Sequence, residues 1–259
     1  MINILNEHIK CEFVIICDHA SNYIPSTYKD LGLESEVLNS HIAYDIGAKE
    51  VAIELSNILQ CPLVMSNFSR LLIDPNRGID DPTLIMRISD GNIIEGNKNI
   101  YNFKKNKKRA ERIKFFYDAY HKKINQIIDL RIKKKKYPAI ISIHSFTPTW
   151  KKKIRNTEIG ILWDNDRRLP SIFFQYFKNN NKELIVNDNE PYSGRLKNDT
   201  IYKHATMNGL SNILIEIRQD LITNKSEQRL FAELISKPLL LNKGNPILFD
   251  KIKYPSLAK

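Results

Sequence analysis

Residues 13–25 read FVIICDHASNYIP, and this stretch decides how the rest of the chain is interpreted. The uninterrupted apolar run at residues 13–17 is typical of a strand that is buried on both faces of a sheet. It leads directly into Asp18 and His19, and the segment ends at Pro25. Charged groups at the end of a buried strand are unfavourable unless they are paired, coordinated or open to a cleft. The stretch therefore predicts a buried strand with a functional site at its carboxyl end.

Apolar runs and helical patterns alternate along the 259 residues. Further strands are predicted at 61–67, 137–146, 158–164 and 211–221, and helices at 41–60, 109–132 and about 226–242. This alternation predicts an α/β fold with a mostly parallel sheet covered on both faces. The stretches 78–108 and 187–208 are expected to be irregular and to form lids or binding loops. No linker interrupts the chain, so we expect a single domain over residues 1–259.

The composition is that of an ordinary globular protein, with 42% hydrophobic and 27% charged residues. No apolar run approaches the roughly 20 residues that a membrane-spanning helix needs. The first residues lack the basic start, apolar stretch and cleavage site of a signal peptide, so we expect a cytoplasmic protein without a membrane partner. The three cysteines are an odd number without a CxxC pair, which favours neither a disulfide framework nor a cysteine zinc site.

The net charge of +11 is concentrated in lysine runs at residues 104–109, 133–136 and 151–153. One interpretation is contact with phosphates, which would make the chain a non-catalytic nucleic-acid-binding protein. The other is that these lysines are solvated residues at helix ends and in loops. The runs lack interleaved aromatic residues and match no nucleic-acid-binding motif, which favours solvation. A nucleic-acid partner is therefore not expected.

Two of the predicted strands end in a histidine, and a third carries a carboxylate. His19 follows the first apolar run, and His144 ends the third. Glu216 and Arg218 share one face of the last strand. Two histidines and a carboxylate are the usual ligands of a hydrolytic zinc site, which leaves one position for water. The alternative is that each histidine is a hydrogen-bonded structural residue. Spacing alone leaves both interpretations open.

A second polar cluster occupies SRLLIDPNR, residues 69–77. Arg77 follows Asn76, and such a pair can bind a substrate carboxylate because the guanidinium group matches it with two hydrogen bonds. Arg70 is a candidate for stabilising the oxyanion of a tetrahedral intermediate. The alternative is a type I turn with Asp74 as its cap, which does not account for two arginines.

Further candidates lie elsewhere in the chain. His41 and Asp45 are four residues apart at the start of a predicted helix, hence on one face, and Asp45 is a candidate carboxylate ligand. Both are equally compatible with ordinary polar residues at a helix start. Tyr192, Arg195 and His204 lie in the irregular stretch before the last strand. They are candidates for a substrate lid or for exposed loop residues.

Six blocks, taken together and in this order, resemble the N-formylglutamate amidohydrolase family. They cover residues 17–221 and read CDHASNYIP, HIAYDIGA, SRLLIDPNR, SIHSFTP, NEPYSGR and HATMNGLSNILIEIRQDL. The resemblance implies a fold like that of the zinc carboxypeptidases and aspartoacylase, a three-layer α/β/α sandwich around a mixed sheet. It also implies hydrolysis of an N-acyl amide, which for N-formylglutamate gives formate and glutamate, in histidine catabolism. One zinc ion, or another divalent metal ion, is expected per chain.

The resemblance further implies which residues would bind the metal ion. His19, His144 and a carboxylate are the expected ligands. The wider superfamily uses a His-x-x-Glu pair, but here His19 is followed by Ala-Ser-Asn at residues 20–22. The carboxylate must therefore come from elsewhere, and Asp45 is the first choice, with His41 as the alternative ligand.

The remaining implied roles concern the reaction and the substrate. Glu216 resembles the superfamily's catalytic glutamate, a general base and then acid, and Arg70 is expected to polarise the carbonyl group. Asn76 and Arg77 are expected to bind the carboxylate of a small anionic N-acyl amino acid. The further candidates for substrate binding are Tyr192, Arg195, His204 and Arg218.

The first block departs from the family pattern. Residues 18–21 read Asp-His-Ala-Ser, whereas family members that act on N-formylglutamate have Pro-His-Ser-Gly. The substrate is therefore open, and another N-acyl amino acid or a small peptide is the alternative.

Overall fold

A seven-stranded mixed sheet forms the centre of the computed structural model, which describes residues 1–101, 107–134 and 136–259. Its strands are β1 (Ile2–Leu5), β2 (Phe13–Cys17), β3 (Leu63–Ser66), β4 (Ala139–Phe146), β5 (Ile159–Leu162), β6 (Val186–Asp188) and β7 (Asn212–Arg218). They lie in the order β1-β3-β2-β4-β7-β5-β6. β3, β2, β4 and β7 are parallel, β1 and β5 are antiparallel to their neighbours β3 and β7, and β6 is parallel to β5. The predicted mostly parallel mixed sheet is confirmed.

Helices cover both faces of this sheet. In the described residues they are α1 (Ser35–Leu38), α2 (Ala48–Leu59), α3 (Lys107–Arg112), α4 (Asp118–Ile132), α5 (Arg168–Asn180), α6 (Thr200–His204) and α7 (Lys225–Leu241). A π-helical turn, Ile113–Tyr117, joins α3 to α4. Single turns of 3-10 helix lie at Glu95–Asn97, Thr206–Asn208, Gln219–Leu221 and Pro246–Phe249, and a longer, kinked one at Ser26–Gly32. Two small hairpins pair Ile88–Ser89 with Asn92–Ile93 and Thr149–Trp150 with Lys153–Ile154.

The apolar run of β2 is buried on both sides, as its composition predicts. Phe13 and Ile15 pack in a cluster with residues of α2, α5 and α7, whereas Val14 and Ile16 pack with residues of α4. Alternate side chains of a strand point to opposite faces of a sheet, so each face needs its own cover. The result is a three-layer α/β/α sandwich, and the prediction of that fold is confirmed.

One helix begins later than its apolar pattern predicts. The helix expected from residue 41 starts at Ala48, because Gly47 has a left-handed backbone with φ of +79°. A Cβ atom at Gly47 would lie 2.5 Å from the backbone oxygen of Ile222, so a side chain does not fit there. His41 and Asp45 therefore lie in the turns before the helix, and their expected position on one helix face was wrong.

The stretches predicted as irregular contain more regular structure than expected. The segment 187–208 includes most of β6 and all of α6, and the described part of 78–108 includes a small hairpin. β1 and α5 also form where no element is predicted. Short strands such as β6 carry too few residues for a recognisable alternation.

The lysine runs lie mainly at the surface. Lys107 and Lys108 are exposed at the start of α3, the described lysines after α4 are exposed, and residues 151–153 are exposed in a hairpin. Lys104, Lys105 and Lys135 fall outside the described residues. These positions are those of solvated lysines at helix ends and turns. Among the described residues, no helix combines the length and apolar character needed to cross a membrane.

Candidate active site

The candidate site lies on the face of the sheet that α4 covers, at the carboxyl ends of parallel strands. The register places Glu216 of β7 beside His144 of β4, and His19 follows the neighbouring strand β2. His19 and His144 are 2% exposed and Glu216 is 7% exposed. Parallel strands therefore gather these three residues from distant parts of the sequence at one edge of the sheet.

Three potential ligand atoms converge on one point. Nδ1 of His19 lies 3.2 Å from Oδ2 of Asp45, and Nδ1 of His144 lies 2.8 Å from the same oxygen. All three atoms lie within 4.8 Å of one another. The backbone N–H of Asp45 donates to the carbonyl oxygen of His19, which fixes the carboxylate beside the imidazoles.

A carboxylate also faces the second nitrogen of each imidazole. Nε2 of His19 lies 2.8 Å from Asp74, and Nε2 of His144 lies 3.1 Å from Asp18. A carboxylate only accepts hydrogen bonds, so each Nε2 carries the hydrogen, and a neutral imidazole then presents a lone pair at Nδ1. If both imidazoles are neutral, two nitrogen lone pairs and a carboxylate oxygen of Asp45 meet at one point, an arrangement that requires a positive charge there, either a cation or protons on the imidazoles.

A divalent metal ion fits this requirement. Two imidazoles and a carboxylate, with each imidazole oriented by a further carboxylate, are the donor set and the surrounding hydrogen bonds typical of zinc. Without a cation, protons fill the role. Burial lowers the pKa of His144, but its hydrogen bonds with Asp18 and Asp45 outweigh burial and raise the pKa well above its ordinary value. The cluster therefore favours a positive charge at this point, whether it is carried by a metal ion or by protons on the imidazoles.

Glu216 adds a carboxylate that forms no ion pair with any of the described residues. Its Oε2 atom is buried and has no hydrogen-bond partner among the described residues. Burial raises the pKa of Glu216 to about 7, although the nearby His144 partly offsets this. A carboxyl group with such a pKa suits proton transfer near neutral pH.

Arg70 lies over the same cluster. Its guanidinium group donates to Oδ2 of Asp74 at 3.0 Å and to Oδ1 of Asp45 at 3.4 Å. It therefore brings a positive charge next to the converging ligand atoms. Its neighbours in the sequence cluster, Asn76 and Arg77, line the same cavity.

The cavity above these residues has a volume of about 530 Å³. Four of the predicted substrate-binding residues line it: Asn76, Arg77, Tyr192 and Arg195. Asn76 is fixed because its Oδ1 accepts from the backbone N–H of Thr200 at 3.0 Å. The Tyr192 hydroxyl accepts from the guanidinium group of an arginine in the neighbouring hairpin segment, residues 149–155. Arg195 is exposed at the rim.

Two predicted substrate-binding residues do not line the cavity. Arg218 shares the strand face of Glu216, but its guanidinium group bonds Asp220 at 2.8 Å instead of reaching the cavity. His204 is buried against His121, with 2.7 Å between their nitrogens, and its other nitrogen lies 2.8 Å from the amide of Asn125. Neither residue is brought to the cavity, and we do not propose substrate binding for them.

Two further expectations need correction. His41, the alternative ligand, lies at the cavity rim and contacts Asp90 at 3.4 Å, and it is not part of the converging group. Asp18 lies next to His19 in the sequence but contacts His144, because both point to the α4 face of the sheet. Asp74, interpreted as a turn cap, does bond the backbone N–H two residues ahead, and also holds His19. The position of Asp74 between two arginines was the feature of the sequence that could have indicated this second role.

The buried histidine pair predicts how stability depends on pH. Burial lowers the pKa of His121 to about 4 and that of His204 to about 3. The unfolded chain therefore binds more protons than the folded chain below pH 6.5, and stability falls on acidification. The shift at His121 alone corresponds to about 3 kcal/mol between pH 6.5 and pH 4.

Denaturant unfolding at these two pH values measures the effect. We expect the double variant His121→Phe, His204→Phe to lose less unfolding free energy on acidification than the unmodified protein does. An equal loss in both proteins would contradict the neutral, buried state of the pair.

Comparison with known proteins agrees with the sequence blocks. The profile of the N-formylglutamate amidohydrolase family matches residues 11–223. The crystal structure of a gene product of Agrobacterium tumefaciens is 36% identical with a TM-score of 0.85, over 93% of this chain and 95% of that one. An N-formylglutamate amidohydrolase from Ralstonia eutropha has the same fold, with 17% identity and a TM-score of 0.67 over 94% and 98%. No curated protein matches the chain.

The fold, the buried cluster of histidines and carboxylates and the family profile define a hydrolase that acts on an amide bond. The chain belongs to the N-formylglutamate amidohydrolase family, since the profile covers most of its length. The resemblance stated from the sequence is confirmed.

Proposed function

We propose that the protein is a metal-dependent hydrolase of N-acyl amino acids, with N-formylglutamate as the first candidate substrate and zinc as the metal ion. The observation that carries this proposal is the convergence of one ligand atom each from His19, Asp45 and His144 within 4.8 Å of one another. The unpartnered Oε2 atom of Glu216 beside them adds a base. Together these groups are what hydrolysis of an unactivated amide needs.

The chain's own residues divide the chemistry between them. A divalent ion bound there would supply Lewis acidity, which polarises a carbonyl group and lowers the pKa of water. Glu216 accepts the proton of the attacking water and returns it to the nitrogen of the leaving amine. Arg70 offsets the negative charge that develops on the carbonyl oxygen, in a buried site where such charges interact strongly. Asp18 and Asp74 keep the two imidazoles in their orientation.

The substrate carboxylate is assigned to the turn that follows Arg70. Asn76 and Arg77 line the cavity at one side of the metal ligands, and Arg195 stands at the rim. A guanidinium group and an amide side by side match a carboxylate in shape and charge. We therefore favour an anionic N-acyl amino acid.

Metal content and formate release, measured on the same sample, test the proposal. We expect about one zinc ion per chain and formate release from N-formyl-L-glutamate. Zinc without formate release would retain the hydrolase but reject this substrate. A protein that takes up no divalent ion after incubation with one would contradict the metal site.

Arg77→Met tests the substrate carboxylate. Because the guanidinium group binds substrate and transition state alike, we expect KM to rise by about tenfold or more with little change in kcat. The matched control is Arg229→Met, since Arg229 is exposed on α7 and pairs only with Glu233 in the described structure. Equal kinetics for the two variants would remove Arg77 from the substrate site.

A larger N-acyl amino acid is the second candidate substrate. The cavity of about 530 Å³ has the size of pockets that hold drug-sized ligands. Its lining includes the apolar side chains of Ile42, Met86, Trp150, Leu162, Leu196 and Leu214. A panel of N-acyl amino acids that differ in acyl length distinguishes the two candidates. Higher kcat/KM for longer acyl groups would favour the second.

A further inference from the structure

A buried pair of imidazoles lies beneath the turn that carries the substrate-binding residues. His121 of α4 and His204 of α6 are 8% and 2% exposed, and their ring centroids lie 5.0 Å apart. Nε2 of His121 lies 3.0 Å from the carbonyl oxygen of Pro75. Neither imidazole lines the cavity, so neither is used in the hydrolytic reaction described above.

The hydrogen bonds of this pair have one consistent direction. A carbonyl oxygen only accepts, so Nε2 of His121 donates to Pro75, and the neutral His121 then accepts at Nδ1. His204 must therefore donate from Nε2 and accept at Nδ1. The structure places Oδ1 of Asn125 2.8 Å from Nδ1 of His204, so the side-chain amide must be turned over to bring its NH₂ group toward His204. The chain of donors runs from Asn125 through both imidazoles to Pro75.

The turn at the end of this chain carries three groups of the site. Asp74 holds Nε2 of His19, and its Oδ1 also accepts from the backbone N–H of Asn76 at 2.9 Å. Asn76 and Arg77 line the cavity. The carbonyl oxygen of Arg77 is in turn held by the hydroxyl group of Tyr117 at 2.7 Å. The π-helical turn and α4 thus bond the backbone on both sides of Asn76.

We propose that His121 and His204 are positioning residues, which fix the Pro75 carbonyl and thereby the placement of Asn76 and Arg77 against the substrate. The proposal rests on the proposed function for its kinetic consequences, but not for its structural ones. The turn has a proline before Asn76, so no backbone N–H of residue 75 is available to hold it. The Pro75 carbonyl oxygen lies 3.0 Å from Nε2 of His121, closer than its 3.3 Å contact with the hydroxyl group of Thr200, so His121 provides its main hydrogen bond.

The test compares His121→Phe with His121→Gln. Phenylalanine keeps a ring in the buried space but has no donor, whereas glutamine places an NH₂ group near the position of Nε2. We expect His121→Phe to raise KM by about tenfold, with kcat and metal content nearly unchanged, because a misplaced turn weakens binding of the substrate carboxylate. We expect His121→Gln to recover most of that loss. A KM of His121→Phe equal to that of the unmodified protein, or equal kinetics in the two variants, would overturn the proposal.

A second readout needs neither substrate nor metal ion. The backbone N–H of Asn76 bonds Asp74, so its hydrogen-exchange rate in the metal-free protein reports how firmly the turn is held. We expect exchange about tenfold faster in His121→Phe than in His121→Gln. His204→Phe should show a smaller increase, because the direct bond to Pro75 remains. If the unmodified protein hydrolyses no N-acyl amino acid, the proposed function fails. In that case the hydrogen-exchange rate alone tests the positioning role.

Discussion

Replacing Glu216 by glutamine should lower kcat by about three orders of magnitude while leaving the metal content unchanged. The amide has nearly the same shape as the carboxylate but accepts no proton from water at neutral pH. Glu216 is not one of the three residues whose ligand atoms converge, so its replacement should not release the ion. Steady-state kinetics and metal analysis of one preparation measure both effects.

The control for this variant is Glu233→Gln. Glu233 is on α7, on the opposite face of the sheet from the site, and pairs with Arg229 at the surface. We expect its kinetics to match those of the unmodified protein. Full activity in Glu216→Gln would show that another group accepts the proton, and the proposed mechanism would be wrong. Loss of metal together with activity would instead make Glu216 a ligand.

The site was partly predictable because two of its features are local in sequence. A run of apolar residues that ends in Asp18 and His19 predicts a buried strand with polar groups at its carboxyl end, and 139–146 repeats the pattern. The carboxyl ends of neighbouring parallel strands meet at one edge of the sheet, so the proximity of His19, His144 and Glu216 follows from the fold. The roles of these residues stay predictions until they are tested.

The partners of the imidazoles were not predictable in the same way. Asp18 lies next to His19 in the sequence, yet strand alternation turns it toward His144. Asp74 reaches His19 across the sheet edge from a turn whose position depends on tertiary packing. Alternation placed Arg218 on the same strand face as Glu216, but a long side chain at a strand end bonds whatever carboxylate is nearest, here Asp220.

Removing a metal ligand should abolish activity together with metal binding. His144→Ala deletes one of the two nitrogen donors. The two ligands that remain, an imidazole and a carboxylate, cannot hold the ion as tightly. We expect its zinc content to fall to a small fraction of that of the unmodified protein after dialysis. His8→Ala is the matched control, because His8 is exposed and lies outside the cavity. Unchanged zinc content in His144→Ala would remove it from the ligand set.

Replacing the carboxylates behind the imidazoles should weaken zinc binding and activity less than removing a ligand does. Asp74→Asn keeps a hydrogen-bond acceptor near Nε2 of His19 but removes the charge that favours the imidazole as a ligand, so zinc affinity should fall by about 10- to 100-fold. Asp18→Asn should act likewise on His144. Because these residues do not touch the ion, saturating zinc should restore most of the activity of both variants, but not that of His144→Ala. Restoration of His144→Ala by zinc would show that the remaining groups suffice to bind the ion.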